Sequence, residues 1–328
     1  MIGDLFARMR HGDRNALSRL LSHIARGEFV DDIRSLLIPS PQAPSARVIA
    51  FTGSGGVGKS TLIGRLIPLV RAANRKIAVL ACDPQSPLSG GALLGDRFRM
   101  GSTSDDGVFI RSLAALSGSS GLAKHLDLMI DALEAFGFDV IFLETVGAGQ
   151  GDVAVGHHAD ALVLLLQPES GDDVQWEKAG VLECADVIVI HKADLPTADQ
   201  TMAQVRAAID LSPSHHIPIL RVSTKLNQGH AELWQALESL PARRLRPSIA
   251  RRLFQHLIES QECHLRELEA EANAELNKLL ADWQAGTLST VDAARRLSAL
   301  FSRSPLASAD VALRDGLAPG SRSPKASG

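Results

Sequence analysis

Gly53-Ser54-Gly55-Gly56-Val57-Gly58-Lys59-Ser60 is the stretch on which the fold turns. It follows the apolar run 48–51 and leads into Thr61-Leu62-Ile63, which reads as the start of a helix. A strand, a glycine-rich turn and a helix start, in that order, let backbone N–H groups turn inward around phosphate oxygens while the helix end adds positive potential. In this pattern Lys59 brings a mobile charge to the outer phosphates of a nucleotide, and Ser60 offers a hydroxyl to Mg²⁺. A glycine-rich turn that binds nothing is the plainer alternative; the strand before and the helix after weigh against it.

Working outward, apolar runs recur at 77–81, 108–110, 140–143, 161–166, 187–190 and 217–222, separated by helical stretches. Most are continuously apolar rather than alternating, as strands buried on both faces require. The expected class is therefore α/β, with a mostly parallel sheet flanked by helices. Ligands of such sheets sit outside the carboxyl ends of the strands, and the chemistry-bearing residues fall there. Asp83 follows the second run and Glu144 the fourth, both as candidates to hold Mg²⁺, which prefers oxygen ligands. Gly147, which leaves backbone approach open, is placed to sense a γ-phosphate. His191-Lys192-Ala193-Asp194 follows the sixth run and resembles the guanine-reading motif Asn-Lys-x-Asp. A carboxylate at Asp194 can accept from both the ring N–H and the exocyclic amine of guanine, a donor pair that adenine lacks. His191 stands where Asn is usual, with one donor in its neutral form. Ser223 and Thr224, with Lys225, follow the seventh run, in the place of a last base-contacting loop.

The flanks differ in kind. Residues 1–45 read as a helical extension, interrupted at Gly12-Asp13 and closed by Pro39, Pro41 and Pro44. The nucleotide domain is expected over 46–240. Residues 241–302 carry one or two long helices over 249–285, a stop at Gly286, and a last helix capped by Ser289 or Thr290 with Ala293, Ala294, Leu297 and Leu300 facing inward. Such an arm suits dimerisation. Residues 303–328 read as a disordered tail.

Composition narrows the setting. A net charge of -3 gives no basic excess of the kind nucleic-acid binders show. No apolar run reaches the roughly 18 residues of a membrane span. Met1-Ile2-Gly3-Asp4 does not open like a secretory signal. Cys82, Cys184 and Cys263 form neither a disulfide framework nor a metal spacing. A cytoplasmic location is expected, with neither nucleic acid nor membrane as partner.

The segment from Asp83 to Met100, the stretch Glu144-Thr145-Val146-Gly147-Ala148-Gly149-Gln150 and the stretch Gly171-Asp172-Asp173-Val174-Gln175-Trp176-Glu177-Lys178 resemble, in order and spacing, motifs of the MeaB/ArgK family of P-loop GTPases. The likeness runs over roughly residues 10 to 300. The resemblance implies a homodimeric G-protein chaperone that uses GTP and Mg²⁺ to gate adenosylcobalamin delivery to an acyl-CoA mutase, and to protect that enzyme. Methylmalonyl-CoA mutase is the type partner; isobutyryl-CoA and 2-hydroxyisobutyryl-CoA mutases are candidates. Cobalamin would be met only through the partner. The family's metal and switch acids map onto Asp83, Asp96 and Glu144, and its mutase-signalling switch onto Gln175 and Lys178. Asp96 and Glu144 would position Mg²⁺ or the attacking water, and Arg97 or Arg99 would stabilise transition-state charge. Gln150 is a weaker candidate for water. Departures include His191, Glu169-Ser170, Gly151-Asp152 and His157-His158. A nickel or cobalt metallochaperone GTPase is the neighbouring reading, for which His157-His158 and His215-His216 are the available pairs.

Overall fold

The computed structural model describes residues 2–37, 45–83, 105–114, 125–145, 155–168, 182, 184–210, 217–242, 257–258, 261 and 264–302. Seven strands form one sheet: β1 (Arg47–Gly53), β2 (Ile77–Asp83), β3 (Val108–Ala114), β4 (Val140–Glu144), β5 (Ala161–Leu166), β6 (Val187–His191) and β7 (Ile219–Val222). Their order is β3-β2-β4-β1-β5-β6-β7, and every pairing is parallel. The chain builds one half outward from β1, then crosses over to build the other, so the carboxyl end of β1 lies at the point where the direction of winding reverses. That is where α/β sheets open a crevice.

The continuous apolar runs divide between two faces because side chains alternate along a strand. Val48 and Ala50 join one core cluster; Ile49 and Phe51 join the other. The first face is covered by α1 (Ile2–Arg10), α2 (Arg14–Arg26), α3 (Val30–Leu36) and α5 (Leu126–Phe136). On the second face lie α4 (Lys59–Ala72) and α7 (His230–Ser239). Helix α6 (Ala198–Asp210) packs Ala198 and Val205 against Ile188 and Ile190 of β6.

Register is pinned at the amino ends of the strands. Asp139, Asp160 and Asp186 each stand one residue before a strand. Their carboxylates accept from the backbone N–H of Lys76 at 2.7 Å, Val48 at 2.9 Å and Leu162 at 2.9 Å. A one-residue slip would bring a different backbone group opposite each carboxylate and turn every side chain to the other face.

Asp13 caps α2, accepting from the N–H groups of Asn15 and Ala16 at 2.9 and 3.1 Å, and Gly12 takes φ +86 to make the corner. The edge strand β3 is tied to α2 by arginines in both directions. Arg14 donates to the carbonyls of Asp106 (2.8 Å) and Val108, while Arg111 donates to the Ser18 carbonyl and the Ser22 hydroxyl, each at 2.9 Å.

All seven expected strands are present. The last begins at Ile219 rather than 217: the Pro218 carbonyl accepts from Ile188 N–H, but proline has no N–H to return.

Backbone contacts divide the chain into units Met1–Arg244 and Leu245–Gly328. In the second, a helical stretch at 264–270 ends at Ala272, whose φ is +50. Asn273 then caps α8 (Ala274–Gln284) by accepting from Glu275 and Leu276 N–H. The expected helical region over 249–285 is thus broken at an asparagine cap. Gly286, at φ +71, follows α8. Ser289, not Thr290, caps α9 (Thr290–Ser302): its hydroxyl accepts from Asp292 N–H at 3.1 Å and donates to that carboxylate at 2.7 Å. Ala293, Leu297 and Leu300 are half-buried as expected, but Ala294 is exposed, because it lies off their three-to-four-residue stripe. The expected tail, 303–328, lies outside the described residues.

Candidate functional site

The glycine-rich loop connects β1 to α4. Gly53 takes φ +146, and a Cβ there would lie 2.4 Å from the Leu165 carbonyl oxygen of the neighbouring strand. Gly58 takes φ +100, and a Cβ there would sit 2.5 Å from Cε1 of His191. Gly58→Ala therefore combines a strained backbone with a clash against a buried ring. It should lower stability by about 1–3 kcal/mol, and guanidinium unfolding of the full-length chain will show it; a midpoint equal to wild type would remove the steric argument. By contrast, a Cβ on Gly55 or Gly56 would meet nothing within 4 Å, so this side of the loop is open to a ligand. Ser54 is half-buried, while Gly55, Gly56 and Thr61 are exposed around that opening.

Helix α4 begins at Lys59 with no side-chain cap and no acidic residue in its first turn. The N–H groups at a helix start and the helix dipole favour an anion. Lys59 is buried, and its Nζ donates to the carbonyls of Gly53 at 2.9 Å and Ser54 at 3.2 Å. The ammonium is thus held on the loop itself.

Beneath the loop, the Ser60 hydroxyl donates to Glu144 Oε1 at 2.6 Å, and both residues are buried. The β-ladder aligns Phe51 with Glu144 and Glu144 with Ala81. The carboxyl ends of β1, β4 and β2 thereby bring the loop, Glu144 and the backbone of Asp83 side by side. A hydroxyl and a carboxylate in contact are hard oxygen donors of the type Mg²⁺ takes, so the residues present fit that ion. Thr145 donates from its hydroxyl to Thr52 at 3.2 Å and from its N–H to the Phe51 carbonyl at 3.1 Å, fixing the exit of β4 against β1.

The base side is assembled from the ends of β6 and β7. Asp194 Oδ1 accepts from the Ser223 hydroxyl at 2.6 Å, and Lys225 Nζ lies 3.7 Å from Oδ2. The Ser223 hydrogen bond, helped by Lys225, holds the Asp194 carboxyl below its usual range, so it is ionised at neutral pH. Lys192, at φ +56, donates to Gln167 Oε1 at 2.9 Å. His191 makes two contacts. Nδ1 lies 2.7 Å from the Val57 carbonyl, and Nε2 lies 2.9 Å from Thr224 Oγ1. A carbonyl can only accept, so Nδ1 carries the hydrogen and Nε2 of the neutral ring accepts from Thr224.

The structure brings together Lys59, Ser60, Glu144, His191, Lys192, Asp194, Ser223 and Thr224 at one sheet edge. Of Asp83, only the backbone is described. Asp96, Arg97, Arg99, Gly147, Gln150, Gln175 and Lys178 lie outside the described residues, as do His215-His216 and Cys263. His157-His158 closes a short 3-10 turn, Val155–His158, and among the described residues no group of three or more His, Cys, Asp or Glu side chains is arranged to hold a metal. Sequence reasoning passed over Thr52, Gln167 and His230. The last follows Gly229, whose φ of +82 marks a tight loop after β7; that loop was the available signal.

A family model described as "Methylmalonyl Co-A mutase-associated GTPase MeaB" matches residues 28–252. A provisionally named GTPase of Pyrococcus abyssi is 42% identical over 247 residues, 73% of this chain and 75% of its own. A fused isobutyryl-CoA mutase of Cupriavidus metallidurans is 38% identical over 197 residues, 59% of this chain and 18% of that much longer protein. Among solved structures, a LAO/AO transport system kinase superposes with a TM-score of 0.59 at 22% identity, over 92% of this chain and 97% of that one; the likeness is one of fold.

Proposed function

From the premise that the chain belongs to the family of methylmalonyl Co-A mutase-associated GTPases, MeaB, we propose that it is a GTP-hydrolysing chaperone of an adenosylcobalamin-dependent acyl-CoA mutase, whose cofactor loading and protection it gates. The observation that carries the mutase assignment is the fused isobutyryl-CoA mutase, part of which matches 59% of this chain. Short-chain acyl-CoA mutases of the methylmalonyl or isobutyryl type are the partners to test. Among the described residues, no helix is long and apolar enough to cross a membrane.

In this reading the loop amides and Lys59 hold the phosphates, and Asp194 reads guanine. Ser60 and Glu144, with Asp83 and Asp96, would hold Mg²⁺, which when bound supplies positive charge to the phosphate oxygens. Phosphoryl transfer needs positioning and neutralisation of spreading charge more than covalent help. Arg97 or Arg99 would stabilise transition-state charge, and the segment around Gln175 and Lys178 is the proposed point of communication with the mutase. Leu280, Trp283 and Val291, exposed on α8 and α9, support an apolar dimerisation arm. Light scattering after gel filtration tests this directly: a monomer at working concentrations refutes the arm.

Affinity capture from the native host, once with a GTP analogue and once with GDP, tests the function. A cobalamin-dependent mutase retained under one nucleotide and released under the other is the expected result. Capture of a metalloenzyme maturation partner in its place would move the reading to a metallochaperone. Turnover of the isolated chain is expected to be slow and to rise on addition of the captured mutase; a rate indifferent to the mutase would argue against gating.

A further inference from the structure

Thr224 stands between two buried imidazoles. Its Oγ1 is 2.9 Å from Nε2 of His191 and 3.4 Å from Nε2 of His230. The single hydroxyl hydrogen goes to His191, because Nδ1 of that ring is already committed to the Val57 carbonyl and Nε2 is left with its lone pair. The Thr224 oxygen then presents lone pairs to His230, whose Nε2 must carry a hydrogen to meet them. The result is a directional line: His230 N–H to Thr224, Thr224 O–H to His191, His191 N–H to Val57 C=O. It begins at the first residue of α7 and ends one residue before Gly58.

We infer that His230 is a positioning residue of the nucleotide site, which through Thr224 and His191 locks the base-reading loop to the phosphate-binding loop. The inference rests on the guanine-nucleotide reading above and deepens it. A nucleotide must touch both loops at once. Fixing their separation beforehand spares the ordering that binding would otherwise impose. The geometry also explains how a ring can occupy position 191. An imidazole spans from loop to loop through its two nitrogens, and Gly58 leaves it the room, since any Cβ there would clash with it.

The line needs a neutral His191, whose Nε2 must accept from Thr224, and the surroundings favour that state. Burial is the main cause that pushes His191 below its ordinary 6.5; Lys192 adds to this, while the Val57 carbonyl and Asp194 oppose it. Burial likewise pushes His230 down, with Arg65 of α4 and His191 adding and Glu232 of α7 opposing. A ring whose pKa is depressed in the assembled line binds fewer protons there than when the loops part. The line is therefore fully favourable above pH 6.5, the ordinary value, and loses ground as pH falls from there toward the depressed values.

The test is the affinity of the full-length chain for GDP and a non-hydrolysable GTP analogue, measured by calorimetry over the range in which histidine titrates, about pH 5 to 8. His230→Phe should weaken binding at neutral pH by about five- to tenfold, the worth of one hydrogen bond, and Thr224→Val, which removes both of its hydrogen bonds, by at least as much. The double variant should be no weaker than Thr224→Val alone, because both cut the same line. His230→Gln, which keeps an N–H at the end of a side chain, should recover most of the affinity. Since a buried phenylalanine can disturb folding, thermal unfolding accompanies each variant, and His230→Gln decides the matter if His230→Phe does not fold. Additive losses in the double variant, or a His230→Gln variant that binds as weakly as Thr224→Val, would overturn the inference. Wild-type chain that binds no guanine nucleotide sinks the nucleotide reading itself; wild-type binding that survives His230→Phe undiminished sinks only the role of His230.

Discussion

Lys59→Ala is expected to lower GTP turnover by about a hundred- to a thousandfold, the usual cost of removing one group aimed at developing transition-state charge. The substitution acts on the chemistry because of where the ammonium is held. Lys59 Nζ rests on the carbonyls of Gly53 and Ser54, the outer rim of the same loop whose amides would meet the phosphates. Phosphates arriving at the open side above Gly55 and Gly56 would exchange those neutral acceptors for charged oxygens, and hydrogen bonds between charged groups are roughly twice as strong as neutral ones. The side chain sits at the first position of α4, and its removal leaves the apolar side chains of that helix (Leu62, Ile63, Leu66 and Val70) in their core. Single-turnover hydrolysis at saturating GTP, with circular dichroism to confirm the fold, checks this. Retention of near-wild-type turnover would dismiss Lys59 as the phosphate lysine.

Asp194→Asn carries the second large effect, on base choice. The wild-type carboxylate is ionised and only accepts, which suits the two donors on the edge of guanine. Asparagine replaces one acceptor oxygen with a donating amide, so guanine's amine would meet another amine. An unmatched buried donor costs about 1–3 kcal/mol, or about five- to 150-fold in affinity. Xanthine carries an oxygen where guanine carries the amine, and the variant should bind xanthosine diphosphate better than the wild type does. Competition of GDP and xanthosine diphosphate against a fluorescent nucleotide reads both changes. GDP affinity that is indifferent to the substitution would place the base elsewhere. The tether from Ser223 should survive in part, because the remaining amide oxygen can still accept its hydroxyl.

Much of this is legible in the sequence alone. The five inner apolar runs become strands because burial on both faces tolerates no polar interruption, a requirement that shows in sequence as directly as in structure; the edge strands β3 and β7 carry Arg111 and Arg221. The glycine loop is legible for a related reason. Gly53 and Gly58 occupy backbone conformations and contacts that other residues cannot, so the glycines are spaced by sterics and not by composition. Less can be read where a contact joins distant positions. His230 meets Thr224 only because α7 starts at a loop turned by Gly229, and His191 reaches the phosphate loop across 134 residues of chain. The break at Asn273 is hidden because a polar residue among glutamates and leucines resembles any solvent-facing helix position until its side chain is seen turned back on the next turn.

The arginine ties between α2 and β3 have a consequence for where this molecule can be cut. The family model starts at residue 28, just after α2, so the stretch that it covers is shorter than the stretch that folds. A chain trimmed to that match would lose Leu17, Leu20, Leu21 and Ile24 from the core and strip Arg14 from the carbonyls of the outermost strand. Bare edge strands recruit other strands. Such a fragment would be prone to self-association through β3, and its loss of nucleotide binding would report aggregation rather than any role of the first helices in catalysis.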